Sequence, residues 1–164
     1  VVHNGEISSY GANKRYLEMH GYKCTQKTDT EAIVYLADLI VRKHKIPIEL
    51  LAKIFSAPLW EEIERMPQDQ KKLYKALRII YGRALLNGPF SILLTFKGGI
   101  MALNDRIKLR PLVVGKKDDV YYFSSEEAAI KHICSDIKDI SSPDAGEPVI
   151  ARLTDEACLL WGRR

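Results

Sequence analysis

Val1-Val2-His3-Asn4-Gly5 opens the chain. Two apolar positions lead straight into His-Asn-Gly, with no Met, polar leader or signal segment ahead of them. The stretch reads as the end of a strand, so a further segment is expected upstream of it. Asn4 offers a carboxamide N–H₂ and Gly5 a backbone N–H that no Cβ obstructs. Two such donors at one point can hold a developing negative oxygen. The same residues also suit an ordinary Asn-Gly turn, and the sequence alone leaves both readings open.

Outward from that stretch the pattern changes class once. Ser8 and Ser9 can cap a short helix that runs to about His20 and stops at Gly21. Tyr22–Thr25 is a short strand candidate. Thr28-Asp29-Thr30-Glu31 then opens a helix with Ile33, Leu36, Ala37 and Ile40 at helical spacing, ending in the basic run Arg42–Lys45. Residues 46–86 read as helical, broken at Pro47, Pro58 and Pro67, each suited to a helix start.

Past Gly88 the apolar run Pro89–Phe96, the turn Lys97-Gly98-Gly99 and Ile100–Leu103 predict a hairpin. Leu112–Val114 and Val120–Phe123 predict strands flanking a Gly115–Asp119 turn. Ser124 to Glu127 has capping-box spacing ahead of a helix to about Cys134. A loop over Ser141–Gly146 precedes two last strands, Val149–Leu153 and Ala157–Trp161. Helices first and hairpins afterwards make an α+β domain. With no repeat or linker in view, residues 1–164 read as one domain.

Composition excludes more than it suggests. Of 164 residues, 46% are hydrophobic and 28% charged, as in ordinary globular domains. The net charge of +4 comes from 25 bases mixed among 21 acids, so a nucleic-acid module, prompted by Lys71-Lys72 and Arg163-Arg164, is disfavoured. No apolar run reaches the length of a membrane span. Cys24, Cys134 and Cys158 are scattered and odd in number, which suits buried thiols in a reducing, cytoplasmic compartment. His20, His44 and His132 have no ligand-spaced partner, so no metal site is expected.

Two other stretches could carry chemistry. Asp29 at a helix start either caps that helix or faces a cleft and binds a ligand ammonium. Asn104-Asp105-Arg106-Ile107-Lys108-Leu109-Arg110-Pro111-Leu112 is either a solvated connection or a buried Asp–Arg arrangement bracing a site.

Read in order, His3-Asn4-Gly5, Thr28–Glu31, Leu86–Ser91, Asn104–Leu112 and Phe123–Ala129 resemble the class II glutamine amidotransferases. The amidotransferase domain of glutamate synthases resembles the chain most, through the opening His-Asn-Gly-Glu-Ile at His3–Ile7. The resemblance implies an N-terminal-nucleophile hydrolase fold, a four-layer αββα sandwich, here truncated at its N-terminus. It implies that an N-terminal cysteine thiolate attacks the glutamine side-chain amide, releases ammonia and leaves a glutamyl thioester for water to hydrolyse.

By motif, Asn4 and Gly5 resemble the oxyanion hole and Asp29 the residue that holds the substrate α-ammonium. His3 and Thr28 flank these and shape the pocket. The nucleophile and the arginine for the substrate α-carboxylate have no match in this sequence, so residues 1–164 alone are expected to be inactive. Implied partners are L-glutamine and a synthase domain or subunit that carries ammonia to an acceptor such as 2-oxoglutarate. FMN and an iron–sulfur cluster would belong to that synthase and not to this domain, since three scattered cysteines do not make a cluster site. The alternative is a non-catalytic amidotransferase-like subunit that docks on a synthase. An unpaired sheet edge also leaves homo-oligomer formation open.

Overall fold

The computed structural model describes residues 1–153. Strand β1 (Val2–Gly5) is followed by five helices: α1 (Tyr10–Met19), α2 (Asp29–Ala37), α3 (Ile48–Phe55), α4 (Trp60–Arg65) and α5 (Gln68–Tyr81). Then come the hairpin β2 (Phe90–Phe96) and β3 (Gly99–Asn104) and the hairpin β4 (Val113–Lys117) and β5 (Val120–Ser124). Helix α6 (Glu127–Ile133) and strands β6 (Asp139–Ser141) and β7 (Val149–Arg152) complete the described chain.

Two antiparallel sheets result, β1-β2-β3-β7 and β5-β4-β6. Strand alternation assigns their faces. Phe90, Ile92 and Leu94 of β2 and Met101 and Leu103 of β3 join Ile33, Leu36, Ile40, Leu51 and Phe55 in the main core. That core seals the helices α1, α2, α3 and α5 onto one face of the first sheet. Full burial of a side chain such as Phe90 contributes about 1.5–3 kcal/mol. Val2, Asn4, Ser91 and Leu93 take the other face and look across a cavity at Phe123, Ser124 and Ser125 of the second sheet. Helix α6 covers the far side of the second sheet through Ile130, Cys134 and Ile137, packed on Val113, Tyr122 and Ile140. The layers therefore run helix, sheet, sheet, helix. Among the described residues no helix is long and apolar enough to cross a membrane.

Local chemistry explains where sequence reading and structure part. Tyr22–Thr25 is not a strand. Its polar groups are taken by side chains: Tyr22 O–H donates to Asp38 at 2.5 Å, and Thr25, Gln26 and Lys27 N–H donate to the Glu31 carboxylate at 2.9–3.1 Å. The capping box from Ser124 to Glu127 does not form. Ser124 ends β5 and its Oγ accepts from Glu126 N–H, so α6 starts later, with Glu126 at its N-cap. Helix α2 widens into a π turn over Asp38–Lys43 before the basic run ends it. Strand β6 falls at the start of the expected loop, and Ala157–Trp161 lies outside the described residues.

In the stretch after β3, Ile107, Leu109 and Pro111 are exposed, but Asp105 is buried and braces the turn. Asp105 is 2% exposed, and its carboxylate accepts from the backbone N–H of Phe90, Ile107, Leu109 and Arg110. Among the described residues no arginine side chain shares it. Arg106 donates instead to Asn87 Oδ1 at 2.6 Å and to the Ala57 carbonyl. Burying a carboxylate is tolerable because those N–H groups replace its water. Removing it would strand them, so Asp105→Ala should lower unfolding stability by about 3 kcal/mol. Asp105→Asn, which keeps one acceptor oxygen, should lose less; chemical denaturation of both variants checks the order.

Candidate functional site

The site grows from the end of β1. Its register with β2 sets Val2 opposite Leu93, His3 opposite Ile92, Asn4 opposite Ser91 and Gly5 opposite Phe90. Asn4 is exposed and lines a cavity of about 220 Å³ with Ser91, Leu93, Leu112 and Phe123–Ser125. His3 and Gly5 sit on the opposite, helix-facing side of the strand.

Gly5 is required by geometry. Its φ is +140°, and a Cβ there would lie 2.1 Å from the Pro89 carbonyl oxygen. One residue later, Glu6 N–H donates to that same oxygen at 2.9 Å. Gly88 answers from the other chain, where a Cβ would lie 2.5 Å from the Glu6 carbonyl. Two backbones thus cross at a distance that only glycine permits. Gly5→Ala should cost at least about 3 kcal/mol through strain and clash, read as a large fall in the unfolding midpoint or loss of soluble protein.

Asp29 is drawn to the same end. It is the first residue of α2, and its Oδ2 accepts from Ile7 N–H at 2.8 Å. The cap of that helix is Thr28, whose Oγ1 accepts from Glu31 N–H at 3.2 Å. Of the two roles that the sequence left to Asp29, capping therefore falls to its neighbour. Thr28 is exposed, with its hydroxyl committed to the helix.

His3 is half-buried between charges of opposite sign. Burial pushes its imidazole pKa below the usual 6.5; Asp29 opposes that, and Arg110 adds to it. The Nε2 of His3 and the Nε of Arg110 are both buried without a protein partner. The structure thus brings His3, Gly5 and Asp29 to one end of β1, adds Arg110, and turns Asn4 toward the second sheet. Sequence reasoning missed Arg110 because its place beside His3 depends on the turn that Asp105 organises. Folding holds the His3 pKa below its unfolded value, so its contribution to stability is complete above pH 6.5 and is lost as pH falls through the lower folded value. Thermal unfolding from about pH 8 to about pH 5 should show a decline that His3→Gln reduces.

Neither described cysteine reaches the cavity beside Asn4. Cys24 is buried in the main core, where burial and then Glu31 and Glu18 push its thiol pKa up. Cys134 is buried under α6. Such thiols are poor nucleophiles. A larger cavity of about 800 Å³ lies at the other end of β2, between the hairpin tips, and is lined by Phe96, Ile100, Val120, Tyr121 and Phe123. None of His3, Asn4, Gly5, Thr28 and Asp29 lines it.

No family model matches the chain. The chain is 52% identical over 153 residues to an uncharacterized protein of Archaeoglobus fulgidus, across 93% of this chain and 40% of that protein. It is 26% identical over 163 residues to an amidophosphoribosyltransferase of Pyrococcus horikoshii, across 99% of this chain and 29% of that enzyme. Among solved structures, the glutamine phosphoribosylpyrophosphate amidotransferase of B. subtilis, in complex with ADP and GMP, matches with a TM-score of 0.57 at 22% identity. That match covers 95% of this chain and 27% of the enzyme. The chain spans less than half the length of each of these proteins. Its fold is that of the N-terminal-nucleophile hydrolases, and its homologues include class II glutamine amidotransferases.

Proposed function

We propose that this chain belongs to a domain that releases ammonia from L-glutamine. The observation that carries this reading is the placement of Asn4 and Gly5 at the end of β1 with Asp29 tied to the same end through Ile7 N–H. In this reading the Asn4 carboxamide and the Gly5 N–H bind the oxygen that becomes negative when the glutamine side-chain amide is attacked. Asp29 takes the α-ammonium through an ion pair in a half-buried setting, where screening is weaker than in bulk water. His3, held neutral, and Thr28 shape the pocket walls and take no proton from the substrate.

In this reading the attacking thiolate is supplied by neither Cys24 nor Cys134. Cys24 and Cys134 are buried in separate cores, and neither lines the cavity beside Asn4. Attack forms a C–S bond and expels ammonia, with the departing nitrogen taking up a proton. Water then cleaves the thioester to give glutamate and regenerate the thiol.

Two acceptors for the ammonia have support. The opening at His3–Ile7 resembles that of glutamate synthases and favours 2-oxoglutarate, reduced at a partner synthase domain that would hold the FMN and iron–sulfur cluster. The similarity to amidophosphoribosyltransferases favours a phosphoribosyl acceptor instead. Either acceptor site lies beyond this chain, and the glutamine half of the reaction is common to both.

Glutaminase activity of the full-length protein tests the reading. Asn4→Ala should lower kcat by about 100- to 1,000-fold, the usual cost of one oxyanion donor. A full-length protein that leaves glutamine intact even with its acceptor domain present would identify the chain as a docking subunit. Transfer of label from amide-¹⁵N-glutamine to 2-oxoglutarate or to a phosphoribosyl compound would separate the two acceptors.

A further inference from the structure

Asn4, Ser91 and Asn104 lie in one row across the first sheet. The β1–β2 register sets Asn4 directly opposite Ser91, and the β2–β3 register sets Ser91 directly opposite Asn104. Alternation puts all three on the face turned toward the second sheet, because Ile92 and Leu103, their neighbours in β2 and β3, belong to the helix-side core. Directly opposed residues have Cβ atoms about 4.5–5.5 Å apart, within reach of a side-chain hydrogen bond.

The row is polar where apolar packing would be expected. Asn104 is 0% exposed and Ser91 is 8% exposed, and Ser91 shares a cavity with Asn4. Asn104 Oδ1 accepts from Gly146 N–H at 3.1 Å, in the connection leading into β7. That bond fixes which end of the carboxamide is oxygen, since Gly146 N–H can only donate. It holds the oxygen on Gly146, so that Nδ2 is the end free to bond elsewhere. Asn104 Nδ2 is buried without an acceptor among the described residues. A buried donor left in that state is costly, and the hydroxyl across the ladder can relieve it.

We infer that Ser91 and Asn104 are positioning residues for the Asn4 carboxamide. This inference rests on the glutaminase reading for its kinetic consequence and on the register alone for its geometry. Every bond in the relay has a donor and an acceptor of the right kind. The structure holds the first bond, from Gly146 N–H to Asn104 Oδ1; the relay adds Asn104 Nδ2–H to Ser91 Oγ and the Ser91 hydroxyl to Asn4 Oδ1, which small rotations about these side chains would close across directly opposed positions. Asn4 is thereby left with its N–H₂ facing the substrate oxygen. An exposed asparagine without such support can present either its oxygen or its nitrogen, and an oxygen there would repel the developing oxyanion. A fixed donor needs no reorganisation during the reaction.

The test is a double-mutant cycle in the full-length protein with L-glutamine as substrate, joined to NMR of the Asn4 side-chain amide. Ser91→Ala should lower kcat about tenfold with KM nearly unchanged, and Ser91→Thr, which keeps the hydroxyl, should restore most of it. In the Asn4→Ala background Ser91→Ala should add little, since the group being positioned is already gone. An unchanged kcat in Ser91→Ala, or losses that simply multiply, would overturn the relay. Ser91→Ala should also shift the Asn4 Nδ2 resonances whether or not glutamine is cleaved, and unmoved resonances would overturn the relay as well. A wild-type protein that leaves glutamine intact while its Asn4 signal responds to Ser91 removes the glutaminase reading and keeps the relay.

Discussion

Two backbones crossing at Gly5 and Gly88 hold the rest of the site in place. Gly5 presses on the Pro89 carbonyl and Gly88 on the Glu6 carbonyl, and Glu6 N–H bonds to Pro89 O between them. A side chain on either glycine would force the strands apart. Because β-strand side chains alternate, a slip of one residue here would send Asn4 into the helix-side core and His3 into the inter-sheet cavity. The crossing therefore fixes more than a turn. It sets the pairing of Asn4 with Ser91, and through β3 the place of Asn104.

Buried polar groups support that crossing from behind. Asp105 gathers the N–H groups of the turn after β3 and reaches back to Phe90 N–H, while Asp105 N–H bonds to the Phe90 carbonyl. The start of β2 is thus held at Phe90 by Asp105 and at Pro89 by β1. Ser56 adds a bond from the end of α3 to the Asn104 carbonyl. Each group is satisfied mainly by backbone, which makes the arrangement directional and intolerant of substitution. The exceptions are the unpartnered nitrogens of His3, Asn104 and Arg110. All three lie on or beside the strands that carry the proposed oxyanion hole.

The two faces of β1 divide the work. On the helix side His3 is kept neutral by burial and stands near Asp29 and Arg110. On the sheet side Asn4 opens onto the space between the sheets. A substrate with an ammonium at one end and an amide at the other suits a strand end reached from both directions. This geometry is consistent with the similarity to amidotransferases.

Much of the architecture was legible in the sequence because local rules wrote it. The apolar spacing from Ile33 to Ile40 marked α2, the prolines marked the helix starts, and Gly98 marked the β2–β3 turn. Motif order further singled out Asn4, Gly5 and Asp29. Sequence patterns failed where a distant group took over local hydrogen bonds. Glu31 claimed the N–H groups that would have made a strand near Thr25, and Asp105 gathered backbone N–H groups where the sequence offered an arginine partner or solvent. The row of Asn4, Ser91 and Asn104 joins residues far apart in the chain, and no local period links them. Only the strand register brings them together, because register is fixed by the packing of one whole sheet face against the helices and by two glycines that let the chains meet.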